Sequence, residues 1–327
     1  MSFMDVVSWL LDSDPAIRWQ ALADLTDAEP EAVAAERALV ASQGWGAQLL
    51  RLQGEDGLWA GGTYFPGGFS WSSMPRDADG RVIGQPWNAT FWSLPLLRLF
   101  GLDPNSQQAR DAVAAVEENS RWEHDGQPFF EGEVEPCING ATVAAGSYFG
   151  VDVASIVDRL LGEQMADGGW NCEQENGSTR GSFHTTISVL EGFLEFMMQF
   201  GSDPAIQEAR AQAEDYLLER RLFRRLSTGE PINERWTRFA FPYWWHYDVL
   251  RGLDYMRRTD VEDERLDEAL NLVEQRRLTD GRWARGRIHP GTIHFDIDGP
   301  EGEPSQWITL RALRVLKWAG RTGLGQR

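Results

Sequence analysis

Apolar residues recur along the chain three and four apart, the spacing of a helix face, and almost nowhere in the strict alternation of a strand. Helices beginning near Glu31, Ser106, Asp152, Asp203 and Glu262 carry their apolar residues on one side. In the third these are Val153, Ile156, Val157, Leu160 and Leu161, with acids and arginines opposite. Helices starting near Pro15, Trp87, Cys137, Phe183, Trp244 and Ser305 are apolar or aromatic around most of their circumference, as in T-I-S-V-L-E-G-F-L-E-F-M-M. A helix apolar all round must be covered on all sides, and half-exposed helices can cover it. The pattern predicts an all-α chain of hairpins, an inner layer inside an outer one. The first helix, I-R-W-Q-A-L-A-D-L, echoes the last, Q-W-I-T-L-R-A-L, so residues 1–327 are expected to form one closed ring; a linear solenoid is the open alternative.

Three segments share an apolar helix, a glutamine, an acidic-glycine turn and a tryptophan: L-L-R-L-Q-G-E-D-G-L-W ending at Trp59, L-L-G-E-Q-M-A-D-G-G-W ending at Trp170, and L-V-E-Q-R-R-L-T-D-G-R-W ending at Trp283. Weaker copies surround Asp125-Gly126 and Thr228-Gly229. Asp-Pro at Asp14, Asp103 and Asp203 predicts helix starts, because aspartate caps the first turn and proline lacks only an N–H that has no partner there. Segment 60–86 breaks the plan. It is rich in Gly, Pro, Ser and Trp and longer than an ordinary connection, and its aromatics predict a lid over the mouth of the ring. A second irregular stretch, 285–304, is expected to flank the same mouth.

Composition narrows the partners. The chain is 42% hydrophobic and 25% charged over 327 residues, an ordinary balance for a globular protein. It has no run of about 18 apolar residues and no signal-peptide pattern, which predicts a cytoplasmic protein without a transmembrane segment. A net charge of -19 excludes nucleic acid and anionic membrane surfaces as partners, since both need basic patches. Two cysteines form no disulfide framework; in a reducing compartment they are packing, catalytic or metal-binding thiols. Fifteen tryptophans supply an aromatic core or pocket.

Both cysteines fall between Glu133 and Thr186. There, E-P-C and F-H-T-T each feed a titratable side chain into the first turn of an apolar helix, so Glu135, Cys137 and His184 converge if those helices are neighbours. Cys137 is then a ligand, a nucleophile whose thiol is acidified by the helix N-terminus, or a small buried residue. Cys172, after D-G-G-W-N, is a candidate reactive thiol or further ligand at the mouth. His246, in P-Y-W-W-H-Y-D, is a candidate general acid or base at the start of the next inner helix. Trp87, Trp92, Tyr243, Trp244, Trp245 and Trp307 are expected to line the cavity and grip an apolar substrate.

The Q-x-x-D-G-x-W repeats resemble those of squalene and hopene cyclases, and the plan is similar to the α/α toroid that these enzymes share with the beta subunits of protein prenyltransferases. The resemblance implies an α6/α6 barrel acting on a hydrophobic, isoprenoid-like small molecule. The D-x-D-D motif of the cyclases is absent: D-A-D-G at Asp77 and D-I-D-G at Asp296 lack its pattern. Prenyltransferase beta subunits hold zinc through an Asp-x-Cys pair at one inner helix start and a histidine at the next. Glu135-Pro136-Cys137 and Phe183-His184-Thr185 occupy those places, so the resemblance implies zinc on Glu135, Cys137 and His184, with glutamate replacing aspartate. Where that family has basic residues for a diphosphate, this chain has Glu131 and Glu133. A non-catalytic binder of an apolar ligand and a helical-repeat scaffold are the readings from other classes.

Overall fold

The computed structural model describes residues 3–321. Its α-helices are α1 Phe3–Leu11, α2 Pro15–Leu25, α3 Pro30–Ala38, α4 Gly44–Arg51, α5 Thr90–Phe100, α6 Gln107–Asn119, α7 Pro136–Tyr148, α8 Ala154–Gly162, α9 Phe183–Phe200, α10 Pro204–Glu219, α11 Val249–Arg258, α12 Asp267–Gln275 and α13 Gln306–Trp318. Among the described residues there is no β-strand, only isolated bridges, so the chain is all-α as its periodicity predicts. None of the described helices is long and apolar enough to cross a membrane.

The repeats work as hydrogen-bonded corners between an outer and an inner helix. Trp59, Trp170 and Trp283 are fully buried, and each indole N–H donates to a carbonyl ten residues back in the preceding helix, Leu49, Leu160 and Val273, at 2.7, 2.7 and 2.8 Å. Their backbone N–H groups donate to Thr90, Thr186 and Thr309 on the following inner helix, at 3.1, 3.0 and 3.0 Å. Gln53 and Gln164 close the turn by donating to the carbonyls of Gly57 and Gly168, both at 2.8 Å. In the third copy the glutamine, Gln275, is two residues out of register, and Arg277 donates to Gly281 instead, at 3.2 Å. These glycines sit at φ +76, +84 and +87°, where a side chain is strained, and at Gly57 and Gly168 a Cβ would also strike the next outer helix.

Helices α5, α7, α9, α11 and α13 are buried around most of their surface, whereas α6, α8, α10 and α12 bury one stripe. Helices α7 and α9 cross closely, because a Cβ at Gly140 would lie 2.6 Å from the Ser188 carbonyl and one at Gly192 2.6 Å from the Gly140 oxygen. That crossing places the helix starts at Pro136 and Phe183 side by side. Helix α2 and the turn before it also meet α13: Arg314 donates to Gln20 at 2.7 Å, Lys317 to the Asp24 carbonyl at 2.8 Å, and Ser13 to Gln306 at 2.6 Å.

Several boundaries differ from the sequence reading. Helix α3 has no fully buried residue and packs along α2, where Arg18 donates to Glu36 at 2.5 Å; α4 is the outer helix of the first corner. Ser106, not Asp103, caps α6, accepting from the Ala109 N–H at 3.2 Å. The inner helices expected near Trp87 and Trp244 begin later, at Thr90 and Val249. In the second case Asp248 is the cap, its carboxylate accepting from Arg251 N–H at 2.8 Å and Ala240 N–H at 2.9 Å. The aromatic run before it is therefore a loop, with Trp244 in the left-handed region at φ +49°.

Candidate functional site

Helix α5, the first parts of α7 and α9, and Arg251 of α11 surround a cavity of about 350 Å³ together with the 242–245 loop and residues Tyr64 and Gln85. The expected lid thus contributes its two ends. Its N-terminal end is pinned by Glu123, whose carboxylate accepts the backbone N–H groups of Thr63, Tyr64 and Phe65 at 3.2, 2.9 and 3.1 Å. The Tyr64 ring stacks on Phe91 at 5.3 Å. At the other end Gln85 and Trp87 donate from their backbones to Pro290 and Thr292 at 3.3 and 2.7 Å, so stretch 285–304 lies beside this end of the segment. The middle of the segment lies outside, with Trp71 49% exposed.

Trp92, Tyr243, Trp244 and Trp245 line the cavity as expected. Trp87 stands behind them, stacked flat on Trp244 at 5.2 Å and lining a smaller neighbouring cavity of about 100 Å³. Trp307 is a core residue. It is stacked between Phe241 at 4.1 Å and Trp45 at 6.0 Å.

The chemistry gathers where α7 begins. Cys137 Sγ lies 2.9 Å from Cys172 Sγ and 3.6 Å from a Glu135 carboxylate oxygen, and Cys172 Sγ is 3.5 Å from the Thr185 hydroxyl. Donor atoms of Glu135, Cys137 and Cys172 all lie within 4.8 Å of one another. The hydrogen bond between the sulfurs, then burial, then the neighbouring Cys172 and Glu135 charges push the Cys137 thiol well up, while the same bond lowers that of Cys172.

His184 lines the same cavity but lies outside that donor cluster, because its Nδ1 accepts the Tyr247 N–H at 2.7 Å. The neutral ring then carries its proton on Nε2 and has no free lone pair in the ring plane for a metal. Burial, followed by the charges of Arg251 and Arg287, lowers its pKa to about 4, so it is neutral at pH 7. Cys172, not His184, stands with Glu135 and Cys137 in the donor cluster.

His246 is placed in the loop before α11 and packed, not poised. Its ring is stacked between Trp245 at 3.8 Å and His289 at 3.6 Å, its buried Nδ1 has no protein partner, and burial lowers its pKa to about 2. A ring with so little affinity for a proton is a poor general base at neutral pH.

The sequence reading missed Arg251 and Glu191, which meet across the cavity floor in a bidentate pair at 3.0 and 2.8 Å, with the guanidinium 4.2 Å from the centre of the Tyr243 ring. The signal was available: each is a lone charge in the apolar run of an inner helix, V-L-R-G-L and S-V-L-E-G-F, where a buried charge requires a partner. Compared with protein-family models and with curated proteins, the chain finds no match.

Proposed function

We propose that this chain is a zinc-assisted enzyme that takes a hydrophobic, isoprenoid-like small molecule into its aromatic cavity, similar in plan to the squalene–hopene cyclases and protein prenyltransferase beta subunits that its repeats resemble. On this reading the helices close into an α/α toroid, supported by the bonds between α2 and α13. We place it in the cytoplasm, where its two free thiols persist.

The observation that carries the proposal is a carboxylate and two sulfurs gathered within 4.8 Å on the wall of an aromatic cavity. Carboxylate oxygen and cysteine sulfur are ordinary zinc donors, and three protein ligands leave a position for substrate or water. Glu135, Cys137 and Cys172 would hold the ion. Zinc, when bound, supplies a Lewis acid and keeps the thiols deprotonated.

The other residues have roles that follow from their placement. Trp92, Tyr243, Trp244 and Trp245 bind the apolar body and exclude water, and Tyr64 and Gln85 cover it. Neutral His184 donates a hydrogen bond from Nε2 and so orients a polar atom of the substrate. Arg251, held by Glu191, presents a cation at the floor.

Elemental analysis of protein grown with ample zinc tests the reading. One zinc per chain is expected in the wild type, lost from Cys137→Ala and Cys172→Ala and retained by His184→Asn. Zinc absent from the wild type, or surviving both cysteine substitutions, sinks it; zinc lost from His184→Asn returns the histidine to the ligand set. A metal-free wild type that still binds apolar probes in the cavity would be a ligand carrier.

A further inference from the structure

We propose that Cys137 and Cys172 form a reversible disulfide that closes the donor site to metal. The only two cysteines of the chain are 35 residues apart in sequence, yet their sulfurs stand 2.9 Å apart on the wall of one cavity. Bringing them to the ~2.05 Å of a disulfide moves them together by less than about 1 Å. One sulfur is on the rigid first turn of α7. The other is on the segment between α8 and α9, outside either helix.

The partners at hand complete the exchange. With a small-molecule disulfide as oxidant, the Cys172 thiolate attacks one of its sulfurs, forming a mixed disulfide and releasing one small thiolate. Cys137 then attacks the Cys172 sulfur, its proton passing to the Glu135 carboxylate 3.6 Å away, and the second small thiolate leaves. The protein loses two hydrogens and two electrons, and the oxidant becomes two thiols. The product removes both sulfurs from the donor set, leaves Glu135 alone, and ties the segment before α9 to α7. This consequence for metal rests on the zinc reading; the disulfide itself does not.

The full chain, stripped of metal by a chelator or reloaded with zinc, is treated with oxidised glutathione, quenched with an alkylating agent and weighed intact. The metal-free wild type is expected to become lighter by two hydrogens, keep no glutathione, offer no thiol to the alkylating agent, and recover both on reduction. Cys137→Ala, which lacks the second thiol, is expected to keep one glutathione on Cys172. A wild type that keeps glutathione, remains with two alkylatable thiols or forms disulfide-linked dimers overturns the proposal. Zinc that slows the reaction supports the metal reading; zinc without effect removes that reading while the disulfide stands.

Discussion

At the end of the inner helices where α7 and α9 begin, a cavity of about 350 Å³ holds two thiols, a glutamate and a neutral histidine among aromatic rings. At the end where α5, α9 and α11 finish, a second cavity of about 430 Å³ is lined by Arg37, Arg98, Arg257, Arg258 and Arg314 together with Glu191, Glu195 and Asp254. The inner helices run in one direction, so one end collects helix N-termini and the other C-termini. Partial positive charge at N-termini favours anions, whereas the orphan carbonyls of C-termini favour cations; at Cys137 the bond to Cys172 and burial outweigh it and push the thiol up. Arg98, Arg257 and Arg258 fall in the last turns of α5 and α11, and each is also paired with a carboxylate of the same lining. Between the ends lies a floor of ion pairs: Glu191 with Arg251, and Glu195 shared by Arg98 and Arg258 at 2.8 and 2.6 Å.

The floor gives the largest expected effect. Glu195→Ala leaves Arg98 buried without its counter-ion, and loss of one member of such a pair costs ~3–5 kcal/mol. Urea denaturation is expected to show that loss; a change below about 1 kcal/mol would mean that the helix C-termini alone hold the arginines.

Acid should attack the opposite end. Burial lowers His246 to about 2 and His289 to about 3, below their value in the unfolded chain, so between pH 6.5 and those values the unfolded state binds more protons. Their contribution is therefore whole above pH 6.5 and declines as pH falls, by roughly 1.4 kcal/mol per pH unit for each ring. Burial raises the pKa of Asp14, Asp248 and Asp298, which pulls in the opposite sense, so the informative quantity is a difference. His246→Gln is expected to flatten the pH dependence of unfolding between pH 6 and 4; an unchanged slope would remove the histidine stack as its source.

The smallest effect belongs to the rim of the arginine cavity. Arg37 donates to the Gly101 carbonyl and the Tyr148 hydroxyl, both at 2.9 Å, and its replacement by glutamine should cost about 1 kcal/mol. A greater loss than from Glu195→Ala would reverse the ranking of floor and rim.

Local pattern carried most of the fold. Trp59, Trp170 and Trp283 recur because each corner needs an indole N–H and a backbone N–H satisfied at fixed spacing, and such short-range requirements leave a visible period. The same logic made α7 and α9 legible as buried helices and put Cys137 at a helix start. What could not be read were contacts between distant segments. Arg277 standing in for the displaced Gln275 depends on which side chain reaches the Gly281 carbonyl.

Periodicity and the repeated turns are enough to require an all-helical chain of repeated corners, with two thiols, a glutamate and a histidine near two inner helix starts. Which of these groups meet depends on packing between distant segments. Tyr247, 63 residues after His184, occupies the Nδ1 of that ring, and the turn after Trp170 carries Cys172 to Cys137. Periodicity records which face of a helix is buried, because burial repeats every turn. A hydrogen bond between one ring nitrogen and one remote N–H repeats nowhere, so it exists only once the helices are packed.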